Sequence, residues 1–173
     1  MRIIAHYPSS IYHITMTSSF DFEVYDSIND LTAADAVLLQ KAKNVTKDAY
    51  APYSNFHVGA AAILTNGETV CGTNQENASY PVGICSERTL LSVAASLYPN
   101  VAINTMAVTY DNKNGSSIKP ASPCGICRQS LAEFENRVNQ PIRLILSGLT
   151  GNVYIIPKAS YLLPLSFGSD DFK

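Results

Sequence analysis

The residues in this chain best suited to do chemistry are three cysteines and one glutamate. Cys85 and Glu87 lie in Ile84-Cys85-Ser86-Glu87-Arg88, and Cys124 and Cys127 in Ser122-Pro123-Cys124-Gly125-Ile126-Cys127-Arg128. Three thiolates can hold a zinc ion and leave its fourth position open. Zinc lowers the pKa of a water in that position, so hydroxide forms near neutral pH. Glu87, two residues beyond the first cysteine, can then shuttle protons between that water and a substrate. Three thiolates give the zinc site one excess negative charge and weaken its Lewis acidity. Arg88, three residues after Cys85 on the same helical face, can donate N–H bonds to the sulfurs and offset that charge.

A lone Cys-x-x-Cys is a weak signal, shared by zinc ribbons and redox proteins. Redox chemistry requires neither Cys85 nor Glu87, and a structural zinc site usually adds a fourth protein ligand. None stands at a paired spacing: His6, His13 and His57 are not arranged as partners, and His57 reads as a packing residue inside a strand. Cys71 lies in a strand-like run and reads as a small buried filler. Four cysteines can also form two disulfides. The metal-ligand spacing, with no secretory signal in the first fifteen residues, favours reduced thiols and a cytoplasmic location.

These residues need a scaffold that brings two distant segments together. At 173 residues the chain is expected to form one domain with a substantial core. Its net charge of −2, with lysine and arginine scattered, argues against a nucleic-acid partner and for a small neutral substrate. No apolar run is long enough to span a membrane. Residues 1–29 read as an N-terminal extension, partly disordered or lying upstream of a true start at Met16, and 30–173 as the domain proper.

From residue 30 the pattern is helical, with Leu31, Val37, Leu38, Ala42 and Val45 near one face and Asp30 or Thr32 as cap. Residues 57–65 and 68–74 read as strands joined by a tight turn at Asn66-Gly67. Residues 85–97 read as a second helix, 103–110 as a strand, 111–122 as a polar loop and 124–138 as a third helix. Strands over 142–147 and 152–156 and a short helix ending near Leu163-Pro164 complete the chain. Pro123 sets the start of the third helix. For Arg128, pairing with a carboxylate and facing solvent both remain open. The order α-β-β-α-β-α-β-β-α implies a mixed sheet with helices packed on it, the two middle helices being crossovers between parallel strands. Both cysteine segments then fall where a loop enters a helix. Free backbone N–H groups and the positive dipole end favour thiolate there.

Over residues 33–172 the chain resembles the small cytidine deaminases of the homotetrameric type with a three-cysteine zinc site. The resemblance is carried by Ala51-Pro52-Tyr53-Ser54-Asn55-Phe56-His57-Val58-Gly59-Ala60-Ala61, by Asn74-Gln75-Glu76-Asn77-Ala78-Ser79-Tyr80-Pro81, and by Cys85-Ser86-Glu87-Arg88-Thr89. It continues in Pro123-Cys124-Gly125-Ile126-Cys127-Arg128-Gln129 and Leu162-Leu163-Pro164-Leu165-Ser166-Phe167-Gly168. It implies a three-layer α/β/α fold with a mixed, mostly five-stranded sheet, one Zn2+ per subunit, and a homotetramer whose active sites are shared between subunits. It also implies hydrolysis of cytidine and 2′-deoxycytidine to the uridines and ammonia, serving pyrimidine salvage. Zinc-bound hydroxide would attack C4 while Glu87 moves the protons.

For the substrate, the resemblance implies that Asn74 and Glu76 hold the ribose hydroxyls; alternation along a strand would place both on one face. It implies that Phe56 stacks near the base, that Phe167 closes a neighbouring subunit's pocket, and that Tyr80 reaches toward a neighbouring site. Ser86 stands where the family usually has alanine, beside the base-binding backbone. Its hydroxyl could crowd the pocket, bond to the base or turn away into the protein. His57 replaces a common proline, and segment 111–122 is longer than usual. Two alternatives follow: a deaminase of a modified cytosine nucleoside such as a blasticidin-type antibiotic, and a zinc-stabilised binding domain without catalysis. A nucleic-acid editing deaminase would require a basic groove, and the sequence shows none.

Overall fold

In the computed structural model, residues 14–172 are described. Six strands form one sheet in the order β1-β6-β5-β4-β2-β3. They are β1 Glu23–Tyr25, β2 Phe56–Leu64, β3 Thr69–Thr73, β4 Ile103–Asn112, β5 Arg143–Ser147 and β6 Val153–Ile156. Three α-helices, α1 Ala33–Val45, α2 Ser86–Leu97 and α3 Gly125–Val138, cover its faces.

Strand alternation divides the core in two. Ala60, Ala62, Met106, Val108, Leu144 and Leu146 point to one face and pack with Leu90 and Ala94 of α2 and Leu131 and Phe134 of α3. Ala61, Ala107, Ile145 and Val153 point to the other and pack with Leu38, Leu39 and Ala42 of α1. The three-layer α/β/α arrangement follows from this division.

The mixed character of the sheet comes from β4 and β5, which are parallel, while β2 runs antiparallel to both β3 and β4. The α3 crossover therefore joins neighbouring parallel strands. The α2 crossover joins β3 and β4, which run the same way with β2 between them, so both middle helices are crossovers between parallel strands, as expected.

Helix α1 starts at Thr32, whose hydroxyl accepts from the Asp35 N–H at 3.2 Å. Asp35 then receives a two-pronged bond from Arg143 of β5, at 2.7 and 2.8 Å. Two close approaches set the layer spacing. A Cβ on Gly59 would stand 2.2 Å from the Ala42 carbonyl oxygen of α1, and one on Gly72 would stand 2.5 Å from Leu90 N and 2.6 Å from Ser86 O of α2.

Three sequence expectations change. The sheet has six strands, because β1 pairs antiparallel with β6 inside the segment read as an N-terminal extension. Residues 1–13 of that segment, with His6 and His13, lie outside the described residues. The Ser27 hydroxyl and the Asp30 carboxylate form a capping box just after β1, so ordered structure begins before residue 30. Val37, placed on the buried face by periodicity, is 61% exposed, while Leu38 and Leu39 face the core.

Glycine at position 72 is required by contact with backbone atoms that have no rotamer to yield. Gly72→Ala is expected to lower stability by about 1–3 kcal/mol, as read by urea unfolding; a parental unfolding midpoint would refute the close-packing argument.

Candidate active site and metal centre

Cys85 is the N-cap of α2 and Cys124 the N-cap of α3, and neither side chain caps its own helix. Cys127 lies in the first turn of α3, fully buried. The two helices start together, and the three Sγ atoms lie within 4.8 Å of one another. Cys85 Sγ is 3.8 Å from Cys124 Sγ, and Cys124 Sγ is 3.5 Å from Cys127 Sγ. Sulfurs bound to a tetrahedral zinc at about 2.3 Å stand about 3.8 Å apart, so the spacing fits zinc. All four cysteines, including the half-buried Cys71, are free thiols.

The thiols perturb one another. A bond with the Cys127 thiol, against burial and the nearby Glu87 charge, lowers the Cys85 pKa to about 6. Cys127 is pushed up, first by its bond with Cys85 and then by burial. Arg88 contributes to the lowering at Cys85 through its charge. Its side chain makes no hydrogen bond among the described residues and lines a groove with Leu91, Glu133 and Arg137, so the expected N–H bonds to sulfur are not formed here. Arg128 neither pairs with a carboxylate nor faces open solvent. Its Nε donates to the Pro123 carbonyl at 2.8 Å and its Nη1 to the Leu162 carbonyl at 3.0 Å, tying the cysteine loop to the C-terminal segment.

Next to the thiols a cavity of about 400 Å³ opens, lined by Phe56, Asn74, Glu76, Tyr80 and Glu87 together with the cysteines. Glu87 is 5% exposed. Ser86 also lines the cavity; it is fully buried, and its hydroxyl donates to Glu87 Oε2 at 3.0 Å. Phe56 stacks on Tyr110, with centroids 4.6 Å apart and planes 16° from parallel. At the mouth Tyr80 is 76% exposed and meets Tyr53 edge-on at 5.9 Å.

Asn74 and Glu76 line the same cavity, although β3 ends at Thr73 and neither is a strand residue. Asn74 extends the ladder with its side chain instead: Oδ1 accepts from Val58 N at 2.7 Å and Nδ2 donates to the Phe56 carbonyl at 2.9 Å. Glu76 Oε2 accepts from the N–H groups of Tyr53 and Ser54, at 2.9 and 3.3 Å. Desolvation opposes the Glu76 anion, but these donors and the Ser54 hydroxyl hold its pKa below the ordinary carboxylate value.

Phe167 is not brought to this cavity. It is 59% exposed, packs edge-on against Phe172, and its carbonyl accepts from Gln129 Nε2 at 2.8 Å. His57 stands apart from the thiols and is no ligand; its Nδ1 is buried without a hydrogen-bond partner among the described residues. Sequence reasoning missed the cavity wall formed by Val58, Ile84 and Val108. No local signal could have found them, because an apolar residue reads as core wherever it points.

Residues 32–140 match the cytidine and deoxycytidylate deaminase zinc-binding region family. The chain belongs to that family. A cytidine deaminase of Halalkalibacterium halodurans is 37% identical over 135 residues, which is 78% of this chain and 95% of that protein. One from Sporosarcina psychrophila is 36% identical, over 78% of this chain and 91% of its own length. The crystal structure of cytidine deaminase from Burkholderia pseudomallei superposes with a TM-score of 0.67 at 35% identity, covering 79% of this chain and all of that one. The protein is a zinc-dependent hydrolytic deaminase of the cytidine deaminase family, and its three cysteines fit one zinc per subunit.

Zinc binds thiolates. Near pH 7 Cys85 is already largely ionised, whereas Cys127, with its raised pKa, keeps a proton until metal displaces it. Zinc uptake should therefore release protons, and affinity should fall as pH drops from about 8 to about 6. Competition against a chromophoric chelator across that range measures this; an affinity independent of pH would contradict it.

Proposed function

We propose that the chain hydrolyses cytidine and 2′-deoxycytidine to uridine and 2′-deoxyuridine with release of ammonia, and that Glu87 carries the protons. The observation supporting this most directly is a buried carboxylate at the closed end of the cavity, beside three thiols spaced for zinc. Zinc in that set supplies Lewis acidity to a water at its fourth position. Glu87 takes one proton from the attacking water and delivers it to the ring nitrogen of the base, then takes the second from the added hydroxyl and passes it to the departing amine. The apolar wall of Phe56, Val58 and Val108 suits a flat heteroaromatic ring.

At the other end, one Glu76 oxygen is held by the 53–54 turn, which leaves the other for a sugar hydroxyl. A carboxylate that binds the 3′-hydroxyl accepts ribose and deoxyribose alike. Asn74 has both ends of its amide on the β2 backbone, so its contribution to the sugar is through the second Nδ2 hydrogen or the remaining lone pair of Oδ1.

Phe167, Leu165 and Phe172 are exposed and leave this chain's own cavity untouched. That supports a homotetramer in which Phe167 closes a neighbour's pocket and Tyr80 reaches toward an adjacent site. Four free thiols support a reducing compartment, the cytoplasm, where the reaction would serve pyrimidine salvage. No helix among the described residues is long and apolar enough to cross a membrane. The Ser86 hydroxyl is engaged by Glu87, which weakens the reason to favour a modified cytosine nucleoside. A binding domain without catalysis leaves the buried Glu87 unexplained.

Purified protein incubated with cytidine should release ammonia and show the ultraviolet change of uridine formation. Glu87→Gln, folded and zinc-loaded, should lose about 100- to 10,000-fold in kcat; a mutant as fast as the parent would sink the proton-carrier role. Glu76→Ala should raise KM for cytidine about tenfold or more, and cytidine lacking its 3′-hydroxyl should show a smaller penalty. Equal penalties on both substrates would remove Glu76 from sugar binding.

A further inference from the structure

Ser86 and Glu87 open helix α2, with Cys85 as its N-cap. Side chains of adjacent helical residues normally diverge. Here they converge, and the Ser86 hydroxyl donates to Glu87 Oε2 at 3.0 Å. Ser86 is 0% and Glu87 5% exposed, so water does not compete for this bond. A hydroxyl donating to a carboxylate in a sheltered site makes a strong, directional contact. It is the only hydrogen bond that the Glu87 carboxylate makes among the described residues. Glu87 also lines the cavity beside the thiols, where its second oxygen is left open.

The donor is itself held. Gly72 of β3 lies so close to the first turn of α2 that even a Cβ there would strike the Ser86 carbonyl oxygen at 2.6 Å. The Ser86 backbone therefore has no room to swing, and its hydroxyl approaches Glu87 from a fixed point. An unheld carboxylate can rotate about its terminal torsion, which is broad. With Oε2 pinned, one orientation is selected.

We propose that Ser86 is a positioning residue for the reaction: its hydroxyl fixes Glu87 so that Oε1 faces the reacting base and water. This rests on the reading of Glu87 as proton carrier. Ser86 is no member of the thiol set, and although it lines the cavity its hydroxyl is engaged by Glu87, through which it acts. Small errors in the placement of a proton-transfer group lower the rate of chemistry more than they weaken substrate binding.

The test compares the parent, Ser86→Ala, Ser86→Thr and Glu87→Gln as full-length, zinc-loaded proteins, by kcat and KM for cytidine, zinc content and thermal midpoint. Ser86→Ala should lower kcat about tenfold with KM, zinc content and midpoint unchanged. Ser86→Thr, which keeps the hydroxyl, should recover most of that loss. A Ser86→Ala protein with parental kcat overturns the proposal. So does a fall in kcat that tracks lost zinc or a lower midpoint, because that marks a structural role. Should the extra methyl of threonine unfold the chain, the split between kcat and KM in Ser86→Ala decides alone. A folded, zinc-loaded parent that leaves cytidine untouched, or a Glu87→Gln protein that still turns over, defeats the proton-carrier reading itself and takes the proposal with it.

Discussion

Three sulfur atoms can be held within 4.8 Å of one another here because two helices on one face of the sheet begin at the same end of it. That arrangement depends on β3 and β4 running the same way, which follows from β2 lying antiparallel between them. Each strand passes its chain into a crossover helix, so α2 and α3 both start beyond the carboxyl ends of parallel strands. Ligand sites in α/β sheets collect in that region. Moving either helix to the α1 face would put the sheet between Cys85 and the Cys124–Cys127 pair. The bare backbone of Gly72 makes the arrangement tight enough to matter, since β3 rests directly on the turn that carries Ser86 and Glu87.

Within the cavity, the polar side chains gain definition by bonding to the protein before any ligand arrives. Asn74 completes the end of β2 with its amide, and Glu76 anchors the 53–54 turn. Arg128 fixes the Pro123 carbonyl next to Cys124, and Ser86 holds Glu87. Each of these bonds replaces rotamer freedom with a fixed direction, which is the physical content of preorganisation. The charges in the site are anionic: two carboxylates and a thiol group that ionises readily. With a chain charge of −2, this favours a neutral heterocycle over a polyanion.

The segment before residue 32 lies outside the family match, yet it extends the sheet. β1 occupies the free edge of β6, where unpaired N–H and C=O groups would otherwise invite another strand. Phe20 and Phe22 strengthen the attachment through ring contacts with Tyr161 at 5.7 Å and Tyr154 at 5.2 Å. A three-residue strand with no long apolar alternation leaves almost no periodic signal, which explains why it was not legible in the sequence.

What the chain determined by itself is local. The ligand set Cys85, Cys124 and Cys127, the Glu87 beside it, the three helices and the Asn66-Gly67 hairpin all follow from spacing, capping and periodicity, which act over a few residues. The direction a side chain takes after its backbone is placed was decided by neighbours distant in sequence. Thus Val37 faces solvent while Leu38 faces the core, because α1 is seated on β2 through Gly59. Val108 lines the cavity rather than only the core, because β4 passes beneath it. The Ser86 hydroxyl bonds to Glu87, because β3 closes over the start of α2. Burial and hydrogen bonding select among rotamers only once the opposing surface is in place, and that surface belongs to the tertiary structure.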